Sequence, residues 1–294
     1  MLLSQAIEQF TTFLVSNRRS PHTISGYQRE LARLRRFAGD VPVNELTPDT
    51  FHRFVASETA RPQGDGTPRS AATTNRTRAA LRSFGGWLAD TAVLPRSPAA
   101  GLRIRRTDRK SPAVLSDPER KRMLREVAAH NGAAAERDRV LLKLLLGTGI
   151  RLAELVGLDI GHVDLDGKKI TVTAKGGRVE TRFLNTGLRQ LLRRYLRARA
   201  TADAESQALF LSNRGTRITG RQVQTRFHQW LRWAGIDRPG LSVHSTRHTL
   251  GTRLYRKTHD LLLVGKVLGH RTTEATAIYV HHDEAAVEDA LESL

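Results

Sequence analysis

The second half of the chain carries several polar residues of types that hold charge or move protons. A tyrosine, Tyr279, stands nine residues after the pair Gly269-His270 and just ahead of His281 and His282, in a chain with only four tyrosines. In "TGIRLAEL" Arg151 falls at a predicted helix start, with Glu154 one turn later on the same face. In "VHSTRHTLGTRL" His244 and Arg247 are three apart, so both project from one helix face. In "TAKGGR" Lys175 sits at the tip of a predicted hairpin, where a long cation reaches a ligand that the sheet does not touch. Arginine, lysine and histidine together are equipment for gripping an anion. Taken singly, each feature has an ordinary reading. Arg151 with Glu154 makes a surface ion pair, Lys175 a solvated turn, His244 and Arg247 an exposed helix face, Gly269-His270 a capped turn and Tyr279 a half-buried core aromatic.

Composition narrows the anion. With 48 Lys and Arg against 29 Asp and Glu, the formal net charge of +19 points to a polyanionic partner, nucleic acid first. An acidic membrane surface competes poorly, because the basic residues are dispersed through amphipathic patterns and not massed beside an apolar anchor. With no cysteine there is no disulfide framework and no thiolate zinc site. No run reaches the length of a membrane span, and "MLLSQAIEQFTTFLVSN" is broken by Gln and Glu too often for a signal peptide. The expectation is a soluble protein of the cytoplasm, associated with the nucleoid.

The elements that must position these residues fall into two domains, as 294 residues suggest. Residues 1–105 read as a small helical domain with a basic side. "SPHTISGYQRELARLRRFAG" stacks Ile24, Tyr27, Leu31 and Leu34 at helical spacing, and "TPDTFHRFV" begins with Thr47 as cap and Pro48 in the first turn. "TTNRTRAALRSFGGWL" puts Leu81, Phe84 and Leu88 on one face and Arg78 and Arg82 on another. The period lapses in "LPRSPAAGLRIRRTDRKSPAVL", where residues 106–115 are placed as a charged linker. Ser116 with Glu119 then forms a capping box that opens a second domain, 116–294. There a buried helix leads through Gly-Thr-Gly into another helix. "VDLDGKKITVTAKGGRVETRFL" switches to period two, which predicts a three-stranded antiparallel meander turning at Asp166-Gly167 and Gly176-Gly177. Helical spacing then returns to the end. The fold class expected is mainly α, with a small antiparallel sheet in an α+β second domain.

In this order the motifs resemble the tyrosine recombinase, or phage integrase, family. Its pattern is an Arg in a "TGxRxxEL" context, a Lys in a β-hairpin, a His-x-x-Arg box, a Gly-His pair and, about nine residues later, a Tyr in "YxH". The chain supplies Arg151, Lys175, His244 with Arg247, Gly269-His270, and Tyr279 with His281. The N-terminal "SPHTISGYQREL" resembles the family's SAM-like core-binding domain. The resemblance implies a site-specific DNA recombinase in which Tyr279 attacks a phosphodiester, leaving a 3′-phosphotyrosine and a free 5′-hydroxyl. It needs no cofactor and no metal. Arg151, Arg247 and His270 then bind the non-bridging oxygens, Lys175 protonates the leaving oxygen, His244 serves as base or positioning group, and Glu154 orients the arginines. The implied partner is a double-stranded DNA recombination site, bound through Arg76, Arg78, Arg82, Arg105 and Arg106 among others. Strand exchange passes through a Holliday junction in a homotetramer, with or without a second recombinase, in the setting of a mobile element or of a chromosome. Two alternatives stay open: a type IB topoisomerase that relaxes DNA, and a non-catalytic DNA-binding protein on the same scaffold. The chain departs from the pattern at its end, "DEAAVEDALESL" in place of a tail with "HPRA", and at Phe183, where a proline is common before the leucine. It also leaves no room for an N-terminal arm-binding domain.

Overall fold

The computed structural model describes residues 1–60, 69–105, 111–132, 134–174, 177–201, 206–270 and 272–279. Contacts divide the chain into two compact units, Met1–Arg109 and Lys110–Leu294.

The first unit holds four helices, α1 (Leu3–Ser16), α2 (Pro21–Ala38), α3 (Pro48–Ala60) and α4 (Ala71–Asp90). Their starts are written locally. Ser20 accepts from the Thr23 amide at 3.2 Å with Pro21 behind it, Thr47 from Thr50 at 3.3 Å, and Ser70 from Thr73 at 3.2 Å. Each hydroxyl satisfies one amide that an α-helix leaves unpaired in its first turn. Phe10, Leu31, Leu34, Phe51, Phe54, Leu81, Phe84 and Leu88 form the core, with Phe10 set edge-on to Phe84 at 5.4 Å. Ile24 and Tyr27 pack on its margin. The aperiodic segment after α4 is not free: Leu94, Ala99 and Leu102 are buried in this same core. Arg78 departs from the expected basic face. It is buried and hydrogen-bonds Asn75, while Arg76, Arg82 and Arg105 are exposed. The reason is geometric, since Arg78 follows Thr77 and precedes Leu81 on the inward stripe of α4. Arg106 lies outside the described residues.

The second unit is built on α6 (Ala135–Thr148), whose Val140, Leu141, Leu144 and Leu145 are fully buried, hence the near-continuous apolar run in its sequence. Around it lie α5 (Asp117–Ala129), α8 (Thr186–Thr201) and α10 (Val243–Thr258). The Ser116 and Glu119 box closes as expected, at 3.3 and 2.8 Å. Already before it, Leu115 is buried and its amide donates to Thr249 at 2.9 Å, so the end of the expected linker belongs to this unit. After α7 (Leu152–Val156) come β1 (Val163–Asp164), β2 (Lys169–Thr173) and β3 (Val179–Phe183), an antiparallel meander in the order β1-β2-β3. Ile170 and Val172 face inward. The remaining helices are α9 (Gly220–Trp233), α11 (Leu261–Leu268) and α12 (Glu274–Ala277). Among the described residues no helix is long and apolar enough to cross a membrane, and no cluster of acidic and histidine side chains could hold a metal ion.

Candidate active site

Two arginines meet where the glycine turn after α6 lies against the end of α11. Gly149 takes φ 61° and lets the chain reverse into α7; a Cβ there would come within 2.6 Å of Leu268 Cδ2. The carbonyl of Gly149 accepts from Arg247 Nη1 at 2.7 Å. Arg151, at the N-cap of α7, donates from Nη1 to Glu154 Oε1 at 2.6 Å and from its amide to Oε2 at 3.0 Å. Its Nη2 donates to the Gly269 carbonyl at 3.2 Å, on a residue that ends α11 with φ 66°. Thus the "TGIRLAEL" motif and the Gly-His motif are joined by one guanidinium.

Arg247 is 2% exposed, and its Nη2 is buried with no hydrogen-bond partner. A donor left bare in this way costs about 1–3 kcal/mol in an ordinary core. Burial first, and then the neighbouring charge of Arg151, brings the Arg247 pKa down to about 10, which still leaves it a cation at neutral pH.

Tyr279 lies 1% exposed over α10, in a small cluster with Leu250, Val264 and Leu268. Its ring rests on Gly251, where a Cβ would overlap Cζ. His270 stacks parallel to it at 6.2 Å, with an angle of 8° between the rings. His270 Nδ1 pairs with the Thr276 hydroxyl at 2.8 Å. Burial pushes the Tyr279 hydroxyl up to about 12 and brings His270 down to about 4, the latter helped by Arg247, Arg151, His244 and Arg182. Tyr279 is therefore protonated and His270 neutral at physiological pH.

His244 is exposed as a residue, yet partial burial of its imidazole first, and the charges of Arg247 and Arg151 next, lower its pKa. It is not the group nearest the tyrosine. The Tyr279 hydroxyl pairs with His248 Nδ1 at 3.3 Å, and the His244 ring packs edge-on to His248 at 4.7 Å. His248 went unnoticed in the sequence although the signal was present, since it is four residues from His244 and next to Arg247. Also unnoticed was Arg182 on β3, which is buried against Glu180 and Glu154. Arg151, Glu154, His244, Arg247, His270 and Tyr279 are thus brought together. Lys175, His281 and the end of the chain from 280 lie outside the described residues.

The phage integrase family matches residues 114–286, and the phage integrase N-terminal SAM-like domain matches residues 7–91. The chain belongs to the phage integrase family, and within it to the tyrosine-type site-specific recombinases. It is 34% identical to the tyrosine recombinase XerC of Serratia marcescens, over 96% of this chain and 91% of that protein. It is 32% identical to XerC of Yersinia pestis over the same shares of the two chains. Among solved structures, the XerH site-specific recombinase bound to palindromic difH has the same fold, with a TM-score of 0.77, 23% identity and coverage of 91% of this chain and 78% of that one. The integrase of the transposon Tn1549 superposes with a TM-score of 0.75 at 18% identity, over 100% and 99% of the two chains.

Proposed function

We propose that this recombinase cuts and rejoins double-stranded DNA through Tyr279, with Arg151, Arg247 and His270 gripping the scissile phosphate. The observation that carries the reading is the bare Nη2 of Arg247. A buried guanidinium donor with nothing to bind is a cost to the folded protein, and a non-bridging phosphate oxygen would remove that cost. In the tautomer in which Nδ1 accepts from the Thr276 hydroxyl, a neutral His270 carries its proton on Nε2 and can donate to a second oxygen.

The tyrosine oxygen attacks phosphorus, the bond from phosphorus to the 5′-oxygen breaks, and Lys175 supplies the proton that the 5′-oxygen takes. Since the Tyr279 hydroxyl holds its proton at pH 7, a base is needed. His248 is in hydrogen-bond reach, with His244 behind it in contact with that ring. Attack by a 5′-hydroxyl from another strand on the phosphotyrosine reverses the chemistry and conserves the bond energy, so no nucleotide cofactor is called for. At 1% exposure the tyrosine must shift outward before a phosphate can reach it.

Residues 1–105 serve as the core-binding domain, and the catalytic domain runs to 294 from just before Ser116, taking in Leu115 at the end of the expected linker. Exposed Arg76, Arg82 and Arg105, together with Arg106, clamp the duplex through its phosphates. The assembly is a homotetramer on two DNA sites, working in the cytoplasm on the sites of a mobile element.

The test is a nicked suicide duplex that traps the covalent adduct. Wild-type protein should form it, and Tyr279→Phe should bind the same duplex and form none. Adduct in Tyr279→Phe would assign the nucleophile elsewhere. Relaxation of supercoiled plasmid without site preference by a monomer would favour a topoisomerase.

A further inference from the structure

The inward face of the β-sheet carries a charged pair where packing alone asks for apolar residues. Register pairs Ile170 with Arg182 and Val172 with Glu180, so these four side chains share one face. On β2 that face is Ile170 and Val172, both buried; on β3 it is Glu180 and Arg182, with the Arg182 side chain only 2% exposed. Removing an ion pair from water costs about as much as the pair returns, and well-packed apolar residues at such positions are commonly as stable or more so. Stability alone therefore gives no reason for Arg182.

Its contacts do. Nη2 donates to Glu180 Oε2 at 2.7 Å and lies 3.5 Å from Glu154 Oε2, on the carboxylate that binds the side chain and amide of Arg151. The Gly269 backbone rests on the same pair: a Cβ there would come within 2.8 Å of Arg182 Nη2 and would overlap Glu180. Gly269 in turn supplies the carbonyl that receives Arg151. Despite its burial, Glu180 is kept below the usual carboxylate range by Arg182 and Arg178. Arg182 balances one of two carboxylates behind Arg151; without it, both would compete for the Arg151 guanidinium.

We propose that Arg182 is a positioning residue for the strand-cleavage reaction, fixing Glu154 and Glu180 so that Arg151 is held at one angle toward the phosphate, and fastening the β2–β3 hairpin to the Gly269-His270 turn. This rests on the reading that Arg151 binds the scissile phosphate. A misplacement of about 1 Å at a reacting centre costs on the order of 100-fold in rate, so Arg182→Met should slow adduct formation by roughly 10- to 100-fold. The loss should fall on the single-turnover rate at saturating protein, with duplex affinity unchanged.

The deciding measurement is a comparison of four adduct rates: wild type, Arg182→Met, Arg151→Ala and the double variant. If Arg182 acts through Arg151, its replacement should cost at most about twofold once Arg151 is already alanine, because the two effects are not independent. Equal slowing in both backgrounds would make Arg182 a general support of the fold and overturn the proposal, as would a wild-type rate for Arg182→Met. Should Arg182→Met not fold, Glu180→Gln with Arg182→Met removes one charge of each sign, and the same four-way comparison applies. Adduct in Tyr279→Phe would reject the nucleophile assignment, while the four rates would still decide the coupling.

Discussion

His270 is a neutral ring at neutral pH, and its surroundings set a pH limit on the protein. Burial and the charges of Arg247, Arg151, His244 and Arg182 lower its pKa from an ordinary 6.5 to about 4. The unfolded chain therefore binds more protons than the folded one between those two values, and stability falls as pH drops through that window. Above pH 6.5 this effect is absent. His270→Gln removes the titrating group, so melting temperatures measured from pH 7 down to 4 should fall less steeply in the variant than in wild type; parallel curves would place the acid sensitivity in other groups. Lys175 is testable by chemistry alone. If it protonates the 5′-oxygen, Lys175→Ala should form adduct slowly on ordinary DNA, yet recover most of its rate when that bridging oxygen is sulfur, which leaves without a proton. Arg151→Ala should show a loss on the order of 10²–10³ on ordinary DNA, and sulfur should do little for it, because the non-bridging charge is unaltered. Equal rescue of both variants would take Lys175 out of the acid role.

At the scale of elements, one stripe of α10 carries His244, Arg247 and His248 and, a turn further on, the glycine on which the tyrosine rests. Gly251 is what lets the Tyr279 ring lie so close. Propensity alone says that Gly251→Ala should stabilise the helix by about 1 kcal/mol. Overpacking a filled site costs about 1–3 kcal/mol, and the clash falls on a ring with three packed neighbours, so the second effect should win. The expected outcome is a lower melting temperature and slower adduct formation; a more stable, fully active variant would show that the ring moves aside freely. The helices of the first unit, the Ser116 box and the meander were legible because they rest on local rules, namely periodicity, caps and turn residues. Leu31 and Leu34 lie on the stripe that the spacing named. Arg182 and Glu180 were not legible, since charged residues in a strand read as its outward face, and only tertiary contact with Glu154 gives them a reason to turn in. Arg78 failed in the opposite sense: an arginine read as exposed is tucked beside Asn75.

For the whole molecule, the excess of positive charge should appear in the salt dependence of DNA binding. Log K should fall with log salt at a slope of about −0.9 per phosphate neutralised, and Arg82→Ala should flatten it by about one unit. Arg78→Ala should instead lower stability and leave the slope alone, because burial keeps that guanidinium from the backbone phosphates. A flattened slope for Arg78→Ala would mean that the side chain emerges on DNA. Each unit also contains its own hydrophobic core, and the three tryptophans are divided between them. Trp87 is in the first unit. Trp230, whose indole donates to Asp138 at 3.1 Å, and Trp233, with Arg226 5.3 Å above its ring, are in the second. The protein thus carries separate optical reporters: with Trp87→Phe, emission follows the catalytic half alone, and with both other tryptophans replaced it follows the N-terminal half. Chemical denaturation read through the two variants would show directly whether the halves melt as one cooperative body or in turn.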